Sequence, residues 1–285
     1  MARYDFWEHD GRLAALKGHP LFCHRLLPDI LAGAVFPAIR VRKIDFYSRG
    51  RKLCSFNGKS FQANVAYLAA FQDRPSGEVT EEAFGRLKLC TSFLDGYEQI
   101  KKNITLHEQP ESGGVSELCE SHSCYAGGFA GPIGVFDIEL SLEASDEDRS
   151  QDRLDLVLFH TELQRLRFFE VKTFDNKEIW SKDGKPADVC GQIARYKEQL
   201  TVRQQELLDG YKQYARLMAD LCGVRLPEPA TIDVEPDLLL IGFDSLQQAT
   251  ITSTLRPEFK GKFHWHAIGN PTSASPATLA KWWKR

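Results

Sequence analysis

Hydrophobic and polar positions in the second half of the chain alternate as they do in β-strands. Two such runs, RLDLVLFH at 153–160 and LRFFEVKTF at 166–174, are separated by a short polar turn, and VFDIELSL at 135–142 precedes them. Helical spacing then covers residues 187 to about 222, and the continuous apolar run at 237–243 is typical of a buried central strand. This order of elements predicts an α/β or α+β core.

A basic β-hairpin is predicted nearer the N-terminus. Residues 36–56 form two alternating runs around Ser48-Arg49-Gly50-Arg51, where the glycine suits a tight turn. Its cations are candidate contacts to nucleic-acid phosphates, and an exposed hairpin without a binding role is the alternative. These candidates are Arg40, Arg42, Lys43, Arg49 and Arg51.

A joint at Pro75-Ser76-Gly77 suggests two parts, an N-terminal extension of residues 1–75 and a domain of residues 76–285. After the joint, Thr80 suits the start of a helix that continues to about Ile104. The Gly-, Ser- and Pro-rich residues 109–132 predict a long loop.

Charged residues interrupt the apolar strands of the core. A turn at 161–164 sets Val157 opposite Phe168, and the same register places Asp155 directly across from Glu170. Two facing carboxylates repel each other unless one is protonated or a cation lies between them. Because oxygen ligands suit a hard divalent ion, this pair predicts a site for Mg²⁺ or Mn²⁺.

Lys172 lies on the same strand face as Glu170, since side chains alternate with a period of two. Its ammonium group can contact a water molecule and a phosphate oxygen beside the cation and stabilise charge in a transition state. Two carboxylates and a lysine in this arrangement indicate hydrolysis of phosphodiester bonds. A structural ion pair between Glu170 and Lys172 is the alternative.

The helix after these strands carries Gln192 and Tyr196 four residues apart and therefore on one face. Asp155, Glu170-x-Lys172 and Gln192-x-x-x-Tyr196, in this order, resemble the PD-(D/E)XK nuclease superfamily, and the last element is similar to its RecB-like branch. The resemblance covers roughly residues 130 to 245. It implies a restriction-endonuclease-like core, a mixed β-sheet flanked by helices.

The resemblance also implies a role for each motif residue. Asp155 and Glu170, with the backbone carbonyl of Val171, would bind the metal ion, and Lys172 would orient or help deprotonate the attacking water. Gln192 and Tyr196 would position the scissile strand and the active-site side chains.

Two other acidic residues compete for a place in the metal site. Family members often add a carboxylate from a helix before the sheet, for which Glu98 is the candidate. Gly134-Val135-Phe136-Asp137 is similar to the GxxD of RecB-like enzymes, so that Asp137 is an alternative to Asp155. Because Asp137 shares a strand face with Glu139 and Ser141, we favour a solvated strand edge for it.

Further candidates lie in loops. Lys182 and Lys185, in a loop that also contains Trp180, are candidate contacts to a nucleic-acid backbone, and a solvated loop is the alternative. Cys119-x-x-His122-x-Cys124 could form part of a zinc site if Cys90 or His107 completed it, whereas reduced loop cysteines are the simpler interpretation.

Composition narrows the function only slightly. The 285 residues carry a formal net charge of -3, which neither favours nor excludes nucleic acid. Seven cysteines without regular spacing indicate reduced thiols, and no stretch is long and apolar enough for a membrane span, so we expect a cytoplasmic protein. No cysteine follows Cys222, which argues against the iron-sulfur cluster of several RecB-like nucleases.

Together these features predict a Mg²⁺-dependent deoxyribonuclease in prokaryotic genome defence or repair. The chain has no P-loop, so any ATP-driven unwinding would come from a helicase or translocase partner. The alternative is a catalytically inactive module of the same fold that binds nucleic acid or a partner protein. DNA versus RNA, sequence specificity, endonuclease versus exonuclease action and oligomeric state stay open.

Overall fold

A computed structural model describes residues 4–68, 77–80, 92–105, 110–129, 131–142 and 152–284. It divides into two compact units. The first comprises Met1–Phe129 and Lys212–Leu226, and the second comprises Ala130–Tyr211 and Pro227–Arg285.

The first unit contains a five-stranded antiparallel sheet in which neighbours in sequence are also neighbours in space. The strands are β1 (Phe36–Ile39), β2 (Ile44–Ser48), β3 (Arg51–Phe56), β4 (Phe61–Asn64) and β5 (Glu78–Thr80). The α-helices are α1 (Asp5–Glu8), α2 (Arg12–Lys17), α3 (Leu27–Leu31), α4 (Val65–Leu68), α5 (Phe93–Ile104) and α6 (Pro110–His122), and a π-helix covers Phe22–Leu26.

The predicted hairpin turn is confirmed, but the first of its two runs is divided. Ser48 pairs with Arg51 across the turn, and Gly50 has a φ of 70°. A Cβ atom at Gly50 would lie 2.3 Å from the backbone carbon of Ser112, so this position also requires glycine for space. A second turn, in which Arg40 donates to the carbonyl of Lys43, separates β1 from β2.

One local prediction for this unit is wrong, and another lies partly outside the described residues. Thr80 pairs with Gln62 as the last residue of β5, and residues 81–91, over which the predicted helix would begin, are outside the described ranges. The later part of that prediction is α5, at whose start the Ser92 side chain accepts a hydrogen bond from the N–H of Asp95 at 3.2 Å. Residues 110–122 are α6 rather than a loop, since apolar side chains at helical spacing are buried despite the two glycines, among them Val115, Leu118 and Cys119.

The second unit contains a mixed six-stranded sheet in the order β11, β10, β8, β7, β6, with β9 paired to β8. Its strands are β6 (Ile133–Ser141), β7 (Arg153–His160), β8 (Arg165–Thr173), β9 (Thr231–Ile232), β10 (Asp237–Ile241) and β11 (Trp265–Ile268). β6, β7 and β8 are antiparallel, whereas β9 and β10 run parallel to β8, and β11 runs parallel to β10. The predicted mixed α/β class is therefore confirmed.

The helix predicted at 187–222 is interrupted at Arg203. It forms α7 (Asp188–Val202) and α8 (Gln204–Cys222), and the remaining helices are α9 (Ser245–Thr250), α10 (Arg256–Phe259) and α11 (Pro276–Trp283). Short 3₁₀ turns cover Lys177–Ile179 and Pro271–Ser273, and a π-helix covers Ile251–Leu255. Within the described ranges, no helix combines the length and the apolar composition that crossing a membrane requires.

Strand β8 is the centre of this sheet, with β7 along one edge and β9 and β10 along the other. Every residue from Leu166 to Lys172 is buried. Both faces of β8 are therefore covered. Because side chains alternate between the two faces, odd-numbered and even-numbered residues contact different neighbours, and the candidate site lies on the even-numbered face.

Candidate active site

The register predicted for the two central strands is confirmed. Val157 pairs with Phe168, Phe159 with Leu166, and Leu156 with Phe169. The next position of the same register lies just beyond the paired residues and sets Asp155 across from Glu170. The turn and the period-two pattern were sufficient to obtain this alignment.

Asp155 closes the end of the β7–β8 ladder with its side chain. Its Oδ2 atom accepts a hydrogen bond of 2.8 Å from the backbone N–H of Val171. Burial and the nearby charge of Glu170 raise the pKa of Asp155 well above its ordinary value, while the Val171 hydrogen bond and Lys172 act in the opposite direction. A cation beside this carboxyl would offset the repulsion between Asp155 and Glu170.

Glu170 is held by a chain of hydrogen bonds from helix α7. The side-chain amide of Gln192 donates to Glu170 Oε1 at 2.8 Å and to the Tyr196 hydroxyl at 2.7 Å. The Tyr196 hydroxyl in turn donates to the backbone carbonyl of Arg153 at 2.8 Å. Burial and the charge of Glu170 raise the pKa of Tyr196, so that its hydroxyl keeps its proton.

Lys172 lies between two carboxylates. Its Nζ atom is 2.8 Å from Glu170 Oε1 and 2.6 Å from Glu178 Oε2. Burial disfavours the charged form of Lys172, but the two carboxylates outweigh it and raise the pKa of Lys172 above its ordinary value. The lysine is therefore protonated at neutral pH.

Two acidic residues of this neighbourhood were missed by sequence reasoning. Glu178 belongs to the 3₁₀ turn after β8, whose conformation has no periodic signal. Because Ile138 pairs with Leu156, the next residue, Glu139, lies across from Asp155. The charge of Glu139 contributes to the raised pKa of Asp155. Its Oε2 atom is 2.7 Å from Arg153 Nη1.

Asp137 is not on a solvated edge, and that prediction is wrong. It is fully buried, with Oδ1 accepting from the N–H of Ile138 at 2.8 Å and Oδ2 lying 3.3 Å from the Tyr211 hydroxyl, which donates to it. A β-bulge between Val135 and Asp137 shifts the register at this point. These contacts give Asp137 a structural role beneath α8, whereas Asp155 contacts the strand that carries Glu170.

The remaining candidates are more dispersed. Glu98 is exposed on α5 of the first unit. In the same unit, Arg42 and Arg49 are exposed and Arg51 is half-buried, whereas Arg40 and Lys43 lie 4.0 and 3.5 Å from Asp45. That carboxylate offsets part of the basic charge predicted for the hairpin.

Lys182 and Lys185, in the second unit, are exposed at the ends of a tight turn. Trp180, which precedes this turn, is fixed to the residue that follows β8, because its indole N–H donates to the carbonyl of Phe174 at 3.1 Å. Contact between either lysine and nucleic acid stays a prediction.

The possible metal ligands form only small groups of side chains in the part of the chain that the structure describes. Among the residues that the structure describes, no three or more His, Cys, Asp or Glu side chains are grouped so as to hold a metal ion. Cys119, His122 and Cys124 are buried in the first unit, and the proposed fourth zinc ligands, Cys90 and His107, lie outside the described residues. The two-carboxylate set of Asp155 and Glu170, completed by a backbone carbonyl, stays a prediction.

Comparisons with models of protein families, with curated proteins and with solved structures each found no match.

Proposed function

We propose that this chain is a metal-dependent nuclease that hydrolyses DNA phosphodiester bonds. The observation that carries the proposal is the convergence of Asp155, Glu170 and Lys172 on one sheet face, with Gln192 of α7 hydrogen-bonded to Glu170. The residues come from β7, β8 and α7, and a plain structural ion pair would not need the second carboxylate. A restriction-endonuclease-like core is part of the proposal.

The residues present fit a divalent metal ion. Asp155 and Glu170 offer carboxylate oxygens, which hard cations prefer, and burial together with the nearby charge of Glu170 raises the pKa of Asp155. Asp155, Glu170 and the backbone carbonyl of Val171 would hold Mg²⁺ or Mn²⁺. Bound there, the ion would supply Lewis-acid polarisation of the phosphodiester.

Lys172 supplies positive charge to the reacting phosphate. Its ammonium group stabilises the negative charge that develops on the phosphate oxygens during in-line attack by water. Because its pKa is raised, Lys172 does not accept a proton at neutral pH in this arrangement. Its role is to orient the water and to stabilise the transition state rather than to act as the general base.

Gln192 and Tyr196 position the carboxylate. One amide hydrogen of Gln192 fixes Glu170 Oε1, and the other fixes the Tyr196 hydroxyl, which is anchored on the backbone of β7. The Gln192 amide therefore restricts rotation of the Glu170 side chain, which would otherwise reorient when a ligand binds. This is a more specific role than positioning the scissile strand.

The proposed biological setting is genome defence or repair, in the cytoplasm, beside an ATP-driven helicase or translocase. That setting follows only from the resemblance in the motifs, since a fold and its site do not fix a pathway.

Cleavage of DNA by the purified full chain tests the proposal. Supercoiled, linear and single-stranded DNA are incubated with Mg²⁺, Mn²⁺ or EDTA, and products are separated on gels. We expect metal-dependent cleavage that falls at least about a hundredfold in Glu170→Gln and in Lys172→Ala. Glu162→Gln, which removes the same charge from an exposed turn, serves as the matched control.

Three results would count against the proposal. Cleavage that persists in both site variants would place the activity elsewhere, and cleavage in EDTA would remove the metal ion from it. If no DNA or RNA is cleaved with either metal but nucleic acid binds, the inactive binding module becomes the better interpretation.

A further inference from the structure

Glu178 contacts Lys172 in a way that differs from Glu170. Both carboxylates lie within hydrogen-bond distance of the Lys172 ammonium, at 2.6 and 2.8 Å. The Glu170 side chain is only 3% exposed, whereas that of Glu178 is 48% exposed. Glu178 therefore reaches Lys172 from the solvent side of the site, and it can leave without breaking the buried network.

The segment that carries Glu178 is well anchored. The Asn176 side chain accepts a hydrogen bond of 2.8 Å from the N–H of Glu178, and the neighbouring Ile179 is fully buried. Trp180 packs edge-on against Phe174, with 5.1 Å between ring centroids. Because the backbone is fixed on both sides, rotation of the Glu178 side chain suffices to uncover Lys172.

A carboxylate on the exposed side of a lysine occupies the position that another oxyanion would take. The ammonium has three donors, and Glu170 and Glu178 use two directions in a site with little solvent. A phosphate that approaches from solvent meets Glu178 first, and the two anions repel each other at contact distance.

We propose that the Glu178 carboxylate is an internal competitor for the phosphate position at Lys172, which nucleic acid must displace before it can bind productively. This inference rests on the proposed function, because it takes the substrate to be a phosphodiester. Glu178 thereby lowers the affinity for any weakly bound nucleic acid. Cleavage is then restricted to substrates whose other contacts with the protein compensate for the free energy needed to displace the Glu178 carboxylate.

Binding without cleavage tests this competition. The dissociation constant of a short fluorescein-labelled single-stranded DNA, and of its duplex, is measured by fluorescence anisotropy in EDTA. We expect Glu178→Gln to bind about three- to tenfold more tightly than the unsubstituted chain, the range of a single partly exposed ion pair. The matched control Glu162→Gln removes an equal charge from an exposed turn and should leave the dissociation constant unchanged.

A double-mutant cycle separates competition at Lys172 from general repulsion of DNA. In a Lys172→Met background there is no ammonium to compete for, so Glu178→Gln should have no effect. Equal tightening with and without Lys172 would overturn the proposal, as would equal affinities of Glu178→Gln and Glu162→Gln, or no binding by any variant.

The outcome is distinguishable from failure of the proposed function. Cleavage in Mg²⁺ with no effect of Glu178→Gln on binding would support the nuclease function and contradict the competitor role of Glu178. The expected coupling between Glu178 and Lys172 without any cleavage would support an anion site that Glu178 occupies and contradict the nuclease function.

Discussion

Strand β8 buries charge on both faces of its sheet, but the two faces use it differently. On the odd-numbered face, Arg167 is 1% exposed and lies 3.3 Å from Asp233 and 3.7 Å from Asp237. It also donates to the carbonyl of Trp282 and lies over the ring of Trp283. Arg167 is thus paired with carboxylates of opposite charge, and its contacts with Trp282 and Trp283 join the sheet to the C-terminal helix α11.

On the even-numbered face, the charges are arranged less favourably. Two carboxylates face each other across the strands, Asp155 is only half-buried, and one partner of Lys172 is close to half exposed. A buried charge by itself therefore does not identify an active site. A like-charge pair with access to solvent does so better, because folding alone gives no reason to retain it.

The strongest test of this contrast removes Arg167. In Arg167→Met, the buried Asp237 and the partly buried Asp233 lose their contacts with Arg167, while Asp237 keeps its contact with His266 at 3.2 Å. We therefore expect the free energy of unfolding to fall by about 3–5 kcal/mol in urea denaturation followed by circular dichroism. Arg165→Met, an exposed position on the same strand face, should change it by less than about 0.5 kcal/mol. A similar decrease in the free energy of unfolding in both variants would mean that the contacts of Arg167 do not stabilise the fold.

A smaller effect, on activity rather than stability, is expected on the other face. Gln192→Met keeps the length of the side chain but removes both donated hydrogen bonds. We expect the kcat of DNA cleavage to fall about tenfold while the KM changes much less, since Glu170 loses its orientation but the phosphate contacts remain. Steady-state kinetics on a labelled duplex measures both constants.

Gln199→Met provides the matched control for that experiment. Gln199 lies two turns further along α7 and donates to Asp152 at 2.7 Å, outside the site. Loss of the same activity in both variants, or a change in KM alone for Gln192→Met, would contradict the positioning role of Gln192.

The sequence was informative where side-chain period and turn length determine the structure. The β7–β8 register could be obtained in this way, and with it the juxtaposition of Asp155 and Glu170, because the turn at 161–164 fixes which residues face each other and the resulting pairs are apolar. The helical spacing of Gln192 and Tyr196 likewise placed both side chains on the face that contacts the sheet.

The sequence was uninformative where irregular backbone or tertiary packing decides. The bulge in β6 changes the surroundings of Asp137, and the side-chain cap of Asn176 brings Glu178 to Lys172, yet neither leaves a periodic pattern. The glycines of α6 suggested a loop, but packing of its apolar side chains outweighs their low helix propensity.

The smallest effect that we expect concerns the cost of the carboxylate pair. Because the pKa of Asp155 is raised in the folded chain, its ionised form destabilises the fold above the ordinary aspartate pKa of about 3.9. Asp155→Asn retains an acceptor for the N–H of Val171 and removes the charge. We therefore expect it to increase the free energy of unfolding by ~1 kcal/mol at pH 7 and to lose this advantage below that pKa.

Urea denaturation at neutral and acidic pH, without divalent metal, measures this difference. Asp175→Asn, at an exposed position just after β8, should show no comparable gain. A gain for Asp155→Asn that persists unchanged at acidic pH would have to come from packing. A loss at neutral pH would show that the Asp155 charge is compensated within the fold, as that of Arg167 is, and the contrast between the two faces would then disappear.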